Sequence, residues 1–434
     1  MSDQKSSKTT LILFLTVFID MMGFSIIFPL FPNILKQYTQ QGQDPLLAAI
    51  LSLVNMLGGA EGSPYYIVLF GGILGSIYSI LQFVFSPIWG RISDRIGRKP
   101  ILLMTSSGNF LGYLIWLFSG SFSIFVLSRV ITGVMGGNIS VASAAMADST
   151  SEADRAKGMG MIGAGIGLGF IFGPPISGLL SNIDLAKTLP FSFTYFPASA
   201  LFAVFIALVN LLLLFFSFVE TLPEESRKVK QDAAIHPILN LKNSSSKQLA
   251  RVCLIFFLFT FAFSGFEFCI NFYLDNFFRY SPRQIGYTFV YIGMIIIFIQ
   301  GGVIRRISGK VSEKRITYLG GLALLFGLVL LASFIRSTGF FFFSLLFISS
   351  GSAFLHPGLS SLTSLVSSKS EQGKNIGIMR GFGALARALS PFAFSLVYFR
   401  LQPRATFLLS ASLILLVILL TKGIDDSKYS VDNS

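Results

Sequence analysis

The chain has 434 residues, of which 53% are hydrophobic and only 12% charged, whereas an ordinary globular domain carries about 25% charged residues. A soluble fold is excluded for most of its length. The net charge of +13 would suit a nucleic-acid partner, but the basic residues fall in short gaps between long apolar runs. That is the pattern of membrane topology, so membrane lipids and not nucleic acid are the expected surroundings.

About 20 apolar residues cross a bilayer as a helix, and these runs lack the apolar–polar alternation of a membrane barrel. The expected fold is an all-α membrane protein of twelve transmembrane helices in two pseudo-symmetric six-helix bundles. Its spans are 10–33, 66–89, 100–119, 123–146, 158–180, 197–218, 249–273, 283–304, 315–335, 339–365, 375–399 and 403–421. With the N-terminus inside, the inner gaps hold 23 basic residues and the outer gaps 7, which places both termini in the cytoplasm by the positive-inside rule. The polar stretch 220–248 reads as a cytoplasmic linker between an N-terminal bundle, 1–219, and a C-terminal bundle, 249–434. Cys253 and Cys269 sit in one apolar run, too far apart along a helix to bridge, and read as small buried hydrophobes.

Taken in order, span 1 holds Asp20, about ten residues and hence about 15 Å into the bilayer. A carboxyl group at that depth can cycle a proton unless a cation holds it ionised, and its structural alternative is a partner for an arginine or a helix dipole. The turn after span 2 runs Gly90, Arg91, Ile92, Ser93, Asp94, Arg95, Ile96, Gly97, Arg98, Lys99. Topogenic charge alone needs neither glycine nor the single acid, whereas a gating lock needs Gly90, Asp94 and Gly97 beside Arg95, Arg98 and Lys99. In span 4, Arg129 cannot readily lose its charge; it would brace a carboxylate or bind an anion. Span 5 carries Gly165, Gly169 and Gly173 every fourth residue, a smooth strip for close helix approach, then Pro174, which bends the helix.

The second half repeats the first at low resolution. Arg306-Ile307-Ser308 matches Arg91-Ile92-Ser93 at an offset of 215, and Lys374, Gly377 and Pro391 match Lys157, Gly160 and Pro174 at an offset of 217. Duplicated halves with a substrate site near the midplane are a common transporter design. Span 7 holds Glu267 among aromatics, a candidate proton or cationic-substrate site or an interhelix hydrogen bond. Span 10 holds His356 before Pro357, either a titrating group or a packed polar residue. Arg380 and Arg387, two turns apart in span 11, share a face that could attract an anion.

The turn Gly90–Lys99 resembles the loop signature of the major facilitator superfamily. Gly23 and Pro29-Leu30-Phe31-Pro32 in span 1, Arg129 with Gly133, Gly136 and Gly137 in span 4, and Gly160, Gly169, Gly173, Pro174 and Gly178 in span 5 agree with it. The span 5 pattern resembles the antiporter signature of twelve-span drug/proton exporters, with Ser177 where a glycine is usual. Across nearly the whole chain the order of elements resembles tetracycline efflux proteins and their tetracycline-transporter-like relatives. The resemblance implies a proton-coupled antiporter exporting an amphiphilic small molecule by alternating access, with a span 5 bend that seals the inner side against leak. It implies a plasma-membrane location, or the inner membrane in a bacterium, and a monomer whose partners are a small-molecule substrate and protons. One departure is Gly112, where tetracycline exporters carry a substrate-site aspartate. Uniport or symport of an organic solute or lipid is the alternative, and a non-transporting sensor or scaffold is one of another class. The cost of inserting midplane charges argues against a scaffold. An enzyme is not expected: the sequence has no catalytic triad pattern, metal-ligand spacing or phosphate loop, and no cofactor is implied.

Overall fold

A computed structural model describes residues 2–41, 44–57, 65–151, 155–183, 185, 194–228, 247–307, 310–334, 336–367 and 372–424. Most of the linker expected at 220–248 lies outside them. The regular structure among the described residues is helical, without strands. Prolines and glycines decide where the long apolar runs break. In the first span α1 (Ser2–Ser25) gives way to a 3-10 turn at Phe28–Leu30 and restarts as α2 (Phe31–Gln41), because Pro29 supplies no backbone donor and Pro32 suits a helix's first turn. Asp44 then caps α3 (Pro45–Met56), accepting from the amides of Leu46 and Leu47. This short helix is additional to the expected spans.

The second and third spans are α4 (Tyr66–Ile96) and α5 (Arg98–Leu117), hinged at Gly97 with φ +118°. The fourth divides at Gly136-Gly137 into α6 (Phe122–Met135) and α7 (Asn138–Ser149). Then come α8 (Arg155–Leu180), α9 (Pro197–Ser217) and α10 (Lys247–Phe278). The eighth span comprises α11 (Pro282–Phe298), a π-helical stretch at Ile299–Ile304 and α12 (Arg305–Ile307). The last helices are α13 (Glu313–Ser333), α14 (Thr338–Leu365) and α15 (Gln372–Lys422).

Among the described residues eleven helical segments are long and apolar enough to cross a membrane, one fewer than the twelve expected. The difference lies in α15. Its 51 residues would span about 76 Å as one helix, more than twice a hydrocarbon core of about 30 Å. Gln402, at φ 73° and ψ 166°, breaks the helix just before Pro403, so α15 is the eleventh and twelfth spans joined by a tight corner.

Two compact units divide the chain: Met1–His236 with Leu274–Val290, and Pro237–Tyr273 with Tyr291–Ser434. The core of the first buries Ile12, Leu13, Val17 and Met21 of α1 against Val141, Ala142, Ala145 and Met146 of α7. Within it the outer ends of α10 and α11 are tied down. Lys36 Nζ donates to Asp275 Oδ2 at 2.5 Å, and the backbones of α8 and α11 meet at Gly178 and Gly286. In the second unit α13 and α14 approach at Gly320, Gly327 and Gly351, where an added Cβ would meet opposing backbone at 3.0, 2.7 and 2.5 Å.

Candidate functional site

Asp20 sits on α1 facing α5, α7 and α9, and its hydrogen-bond partners are neutral. Asn138 Nδ2 donates to Oδ2 at 2.6 Å and Asn210 Nδ2 to Oδ1 at 3.2 Å; Asn109 is a third amide partner. Asn138 is itself held, donating to Ser106 Oγ at 3.2 Å and accepting from Thr105 Oγ1. All three asparagines are buried, and a buried amide without a partner is costly. The acid therefore organises the interior of the first bundle. None of these asparagines stood out in the sequence, although a carboxamide deep in an apolar span is itself a signal of a polar cluster.

Arg129 of α6 does not pair with Asp20. Its guanidinium lies over Trp116 at 5.0 Å, Tyr113 at 5.7 Å and Phe125 at 5.8 Å, and Nε donates to Ser128 Oγ at 3.3 Å. Nη2 is buried without a hydrogen-bond partner among the described residues. Cation–π contacts stabilise the charge more when water is excluded. Tyr78 and Tyr113 lie in the field of both Arg129 and Asp20, so the two charges share these neighbours without pairing with each other.

The second unit gathers the remaining predicted residues. Glu267 on α10 and Arg387 on α15 interact electrostatically, and Arg387 also acts on Arg380 and on His356 of α14. His356 is exposed, although its ring stands edge-on to Phe259 at 4.8 Å and to Phe256 and Phe263 at 6.3 Å. The imidazole is thus walled by phenylalanines of α10.

At the inner turn, Arg98 is the hub. It is 1% exposed, pairs with Asp94 Oδ1 at 2.8 Å and Asp148 Oδ2 at 2.8 Å, and donates to Ser93 Oγ at 2.7 Å. Arg95 is exposed. Glu220 caps α5 from the far end of the bundle, Oε1 accepting from the Arg98 amide at 2.9 Å and Oε2 from the Lys99 amide at 3.0 Å. A carboxylate at a helix N-terminus meets unpaired N–H groups and the positive end of the dipole. Gly97 is required by its positive φ, and it lies against the Glu220 carboxylate, which would have to shift for a Cβ. Gly90 lies against Ser140. Asp148 and Glu220, which complete this cluster of ion pairs and capping bonds, were not singled out in the sequence; acids at helix ends among basic gaps were the available clue.

The glycine strip of α8 packs on α1. A Cβ on Gly169 would meet Met21 Cβ at 2.5 Å and Phe18 O at 2.7 Å, Gly173 lies against Ser25, and Ser25 Oγ donates to Gly169 O at 3.0 Å. Gly178 meets α11, and Pro174 lies inside the same helix. Gly160 has open space around it, so close packing gives no reason for a glycine there.

The model of the Major Facilitator Superfamily matches residues 13–334 and 303–432. The chain belongs to the major facilitator superfamily. It is 32% identical over 95% of its length to 92% of major facilitator superfamily domain-containing protein 10 of Mus musculus. It is 27% identical over 91% of its length to 89% of the class B tetracycline resistance protein of Escherichia coli. Among solved structures, the human organic anion transporter MFSD10 (TETRAN) matches with a TM-score of 0.76 and 31% identity, covering 96% of this chain and 99% of that one. This major facilitator chain is thus a multi-pass membrane transporter and not an enzyme, and its resemblance to tetracycline exporters holds at the level of sequence.

Proposed function

We propose that the protein is a proton-coupled antiporter that exports an amphiphilic organic solute by alternating access. The observation that carries this reading is Asp20, an acid deep in a span whose hydrogen-bond partners are neutral amides. A carboxylate locked to an arginine keeps its charge; one held by amides can be neutralised by a proton and released again. Protonation removes the acceptor charge that orders Asn138 and Asn210, so it loosens the contact of α1 with α7 and α9. α1 is also the helix gripped by the α8 glycine strip, so the change reaches the element expected to seal the inner side. Substrate and proton then favour opposite faces of the cycle, with residues 1–219 and 249–434 as the moving bodies and both termini cytoplasmic. The reading is of a monomer in the plasma membrane.

The substrate is read from charge and shape. Three arginines in spans against two acids favour an anionic solute, in line with the similarity to the human organic anion transporter MFSD10. Tetracycline–metal chelates fit less well. Gly112 packs on α6, where a side chain would run into Thr132 and the Ser128 carbonyl, leaving no room for a substrate-binding aspartate. The test is solute uptake into proteoliposomes under an imposed pH gradient: Asp20→Asn should abolish accumulation while leaving counterflow exchange of solute intact. Undiminished accumulation by that variant would exclude Asp20 as the proton carrier.

A further inference from the structure

In the second unit a guanidinium and a carboxylate sit in each other's field without closing on each other. Glu267 and Arg387 are each half-buried, and neither side chain makes a hydrogen bond or an ion pair within 4.0 Å among the described residues. The helices that carry them set the gap. Phe256 of α10 lies on Gly383 of α15, and Gly265 of α10 lies under Phe394 of α15, so the two helices run in the same direction with a fixed register. By that register Arg387 is level with Phe259, whereas Glu267 is roughly two turns further along, about 12 Å at 1.5 Å per residue. His356, edge-on to Phe259, shares the level of Arg387. An open guanidinium, an exposed imidazole and phenylalanine walls therefore lie beneath one acid.

An unpaired guanidinium inside a bilayer is among the costliest groups a span can carry, and its planar fork matches a carboxylate. We propose that Arg387, with His356 and the faces of Phe256, Phe259 and Phe263, forms a binding subsite for an aromatic carboxylate, and that Glu267 is its built-in competitor. While Glu267 is ionised it offsets the field of Arg387. A bound carboxylate adds negative charge beside Glu267 and so favours its protonation. Anion binding and proton binding at this site therefore reinforce each other, and by linkage each tightens the other by the same factor. That sign is opposite to the exchange proposed at Asp20, which gives the two acids different tasks: Asp20 coupling, Glu267 selection of substrate charge. The other charged groups facing the site are Arg380, which adds constant positive field, and His356, which also titrates.

The inference rests on the chain being a solute transporter, but its test needs binding alone. The purified full chain in detergent is titrated with 2-naphthoate, and with uncharged 2-naphthamide as the control, from pH 5.5 to 8.5 in weakly buffered solution. In an Asp20→Asn background, which removes the exchange proposed at Asp20, naphthoate should bind more tightly as pH falls and take up as much as about one proton per ligand bound. Glu267→Gln should tighten naphthoate binding at pH 8 and abolish the uptake, whereas His356→Gln should keep the uptake. Arg387→Gln should weaken naphthoate roughly tenfold or more and leave naphthamide unchanged, and Arg387→Lys should restore part of the loss if the glutamine variant fails to fold. With Asp20 restored, the proton released there on binding should lower the net uptake, and equal uptake in the two Asp20 forms would count against the coupling reading without touching this one. Proton release on binding in the Asp20→Asn background, the absence of saturable naphthoate binding at every pH, or unchanged binding in Arg387→Gln would overturn the proposal.

Discussion

Asp94 is the acid that the inner turn displays in sequence, yet the folded turn hangs on its arginine. Arg98 serves two carboxylates, and removing it leaves Asp94 and Asp148 facing each other unpaired, whereas Asp94→Asn leaves the Arg98–Asp148 pair standing. Breaking a buried pair by deleting one partner costs about 3–5 kcal/mol. Arg98→Gln should therefore lower the melting temperature in detergent and impair transport far more than Asp94→Asn, and Arg95→Gln should do neither. Equal effects of all three would reduce the turn to topogenic charge. Asp44, at the start of α3, offers a pH test outside the spans. Desolvation pushes its carboxyl up, but bonds from Ser123 and from the Ser123, Leu47 and Leu46 amides outweigh this and hold it below its ordinary range. A carboxyl lowered on folding stabilises above its unfolded value of about 3.9 and loses that contribution as pH falls through the folded one. Asp44→Ala should destabilise at pH 7, and the difference from wild type should shrink as pH drops below about 4.

At the scale of elements, the α8 strip is the face that packs most closely on α1. Gly169 touches the α1 backbone, whereas Gly167, two residues away, has nothing within 4 Å of an added Cβ. Overpacking a tight contact costs about 1–3 kcal/mol, so Gly169→Leu should cost most of the transport rate and Gly167→Leu little, measured at matched protein levels in proteoliposomes. Similar losses at both positions would show that α8 does not work through its contact with α1. Much of this scale was legible beforehand. Span limits, the glycine periodicity and the hinge at Gly97 follow from hydropathy and from residues with special backbone properties. The amide cage was not: Asn138 and Asn210 lie 118 and 190 residues from Asp20, and long-range side-chain pairing leaves no periodic trace in a single chain. Arg129 was expected either to brace a carboxylate or to bind an anion. Its aromatic seat could not be foreseen, because Tyr113, Trp116 and Phe125 look like ordinary lipid-facing filler. α3 was missed because its apolar run is too short to register as a span.

For the whole molecule, the basic asymmetry of 23 inner against 7 outer residues predicts that both termini and the 220–248 linker face the cytoplasm. A membrane-impermeant thiol reagent should not label Ser245→Cys in intact cells and should label it after lysis; labelling from outside would reverse the topology. The larger claim is that a proton on Asp20 drives solute across the membrane. It is tested most directly in proteoliposomes by recording solute accumulation and proton flux together under an imposed pH gradient. Wild-type protein should accumulate solute only while the gradient lasts, with protons moving in the opposite direction, and Asp20→Asn should exchange solute without accumulating it or moving protons. Gradient-independent accumulation by the wild type, or proton-driven accumulation by Asp20→Asn, would contradict the account.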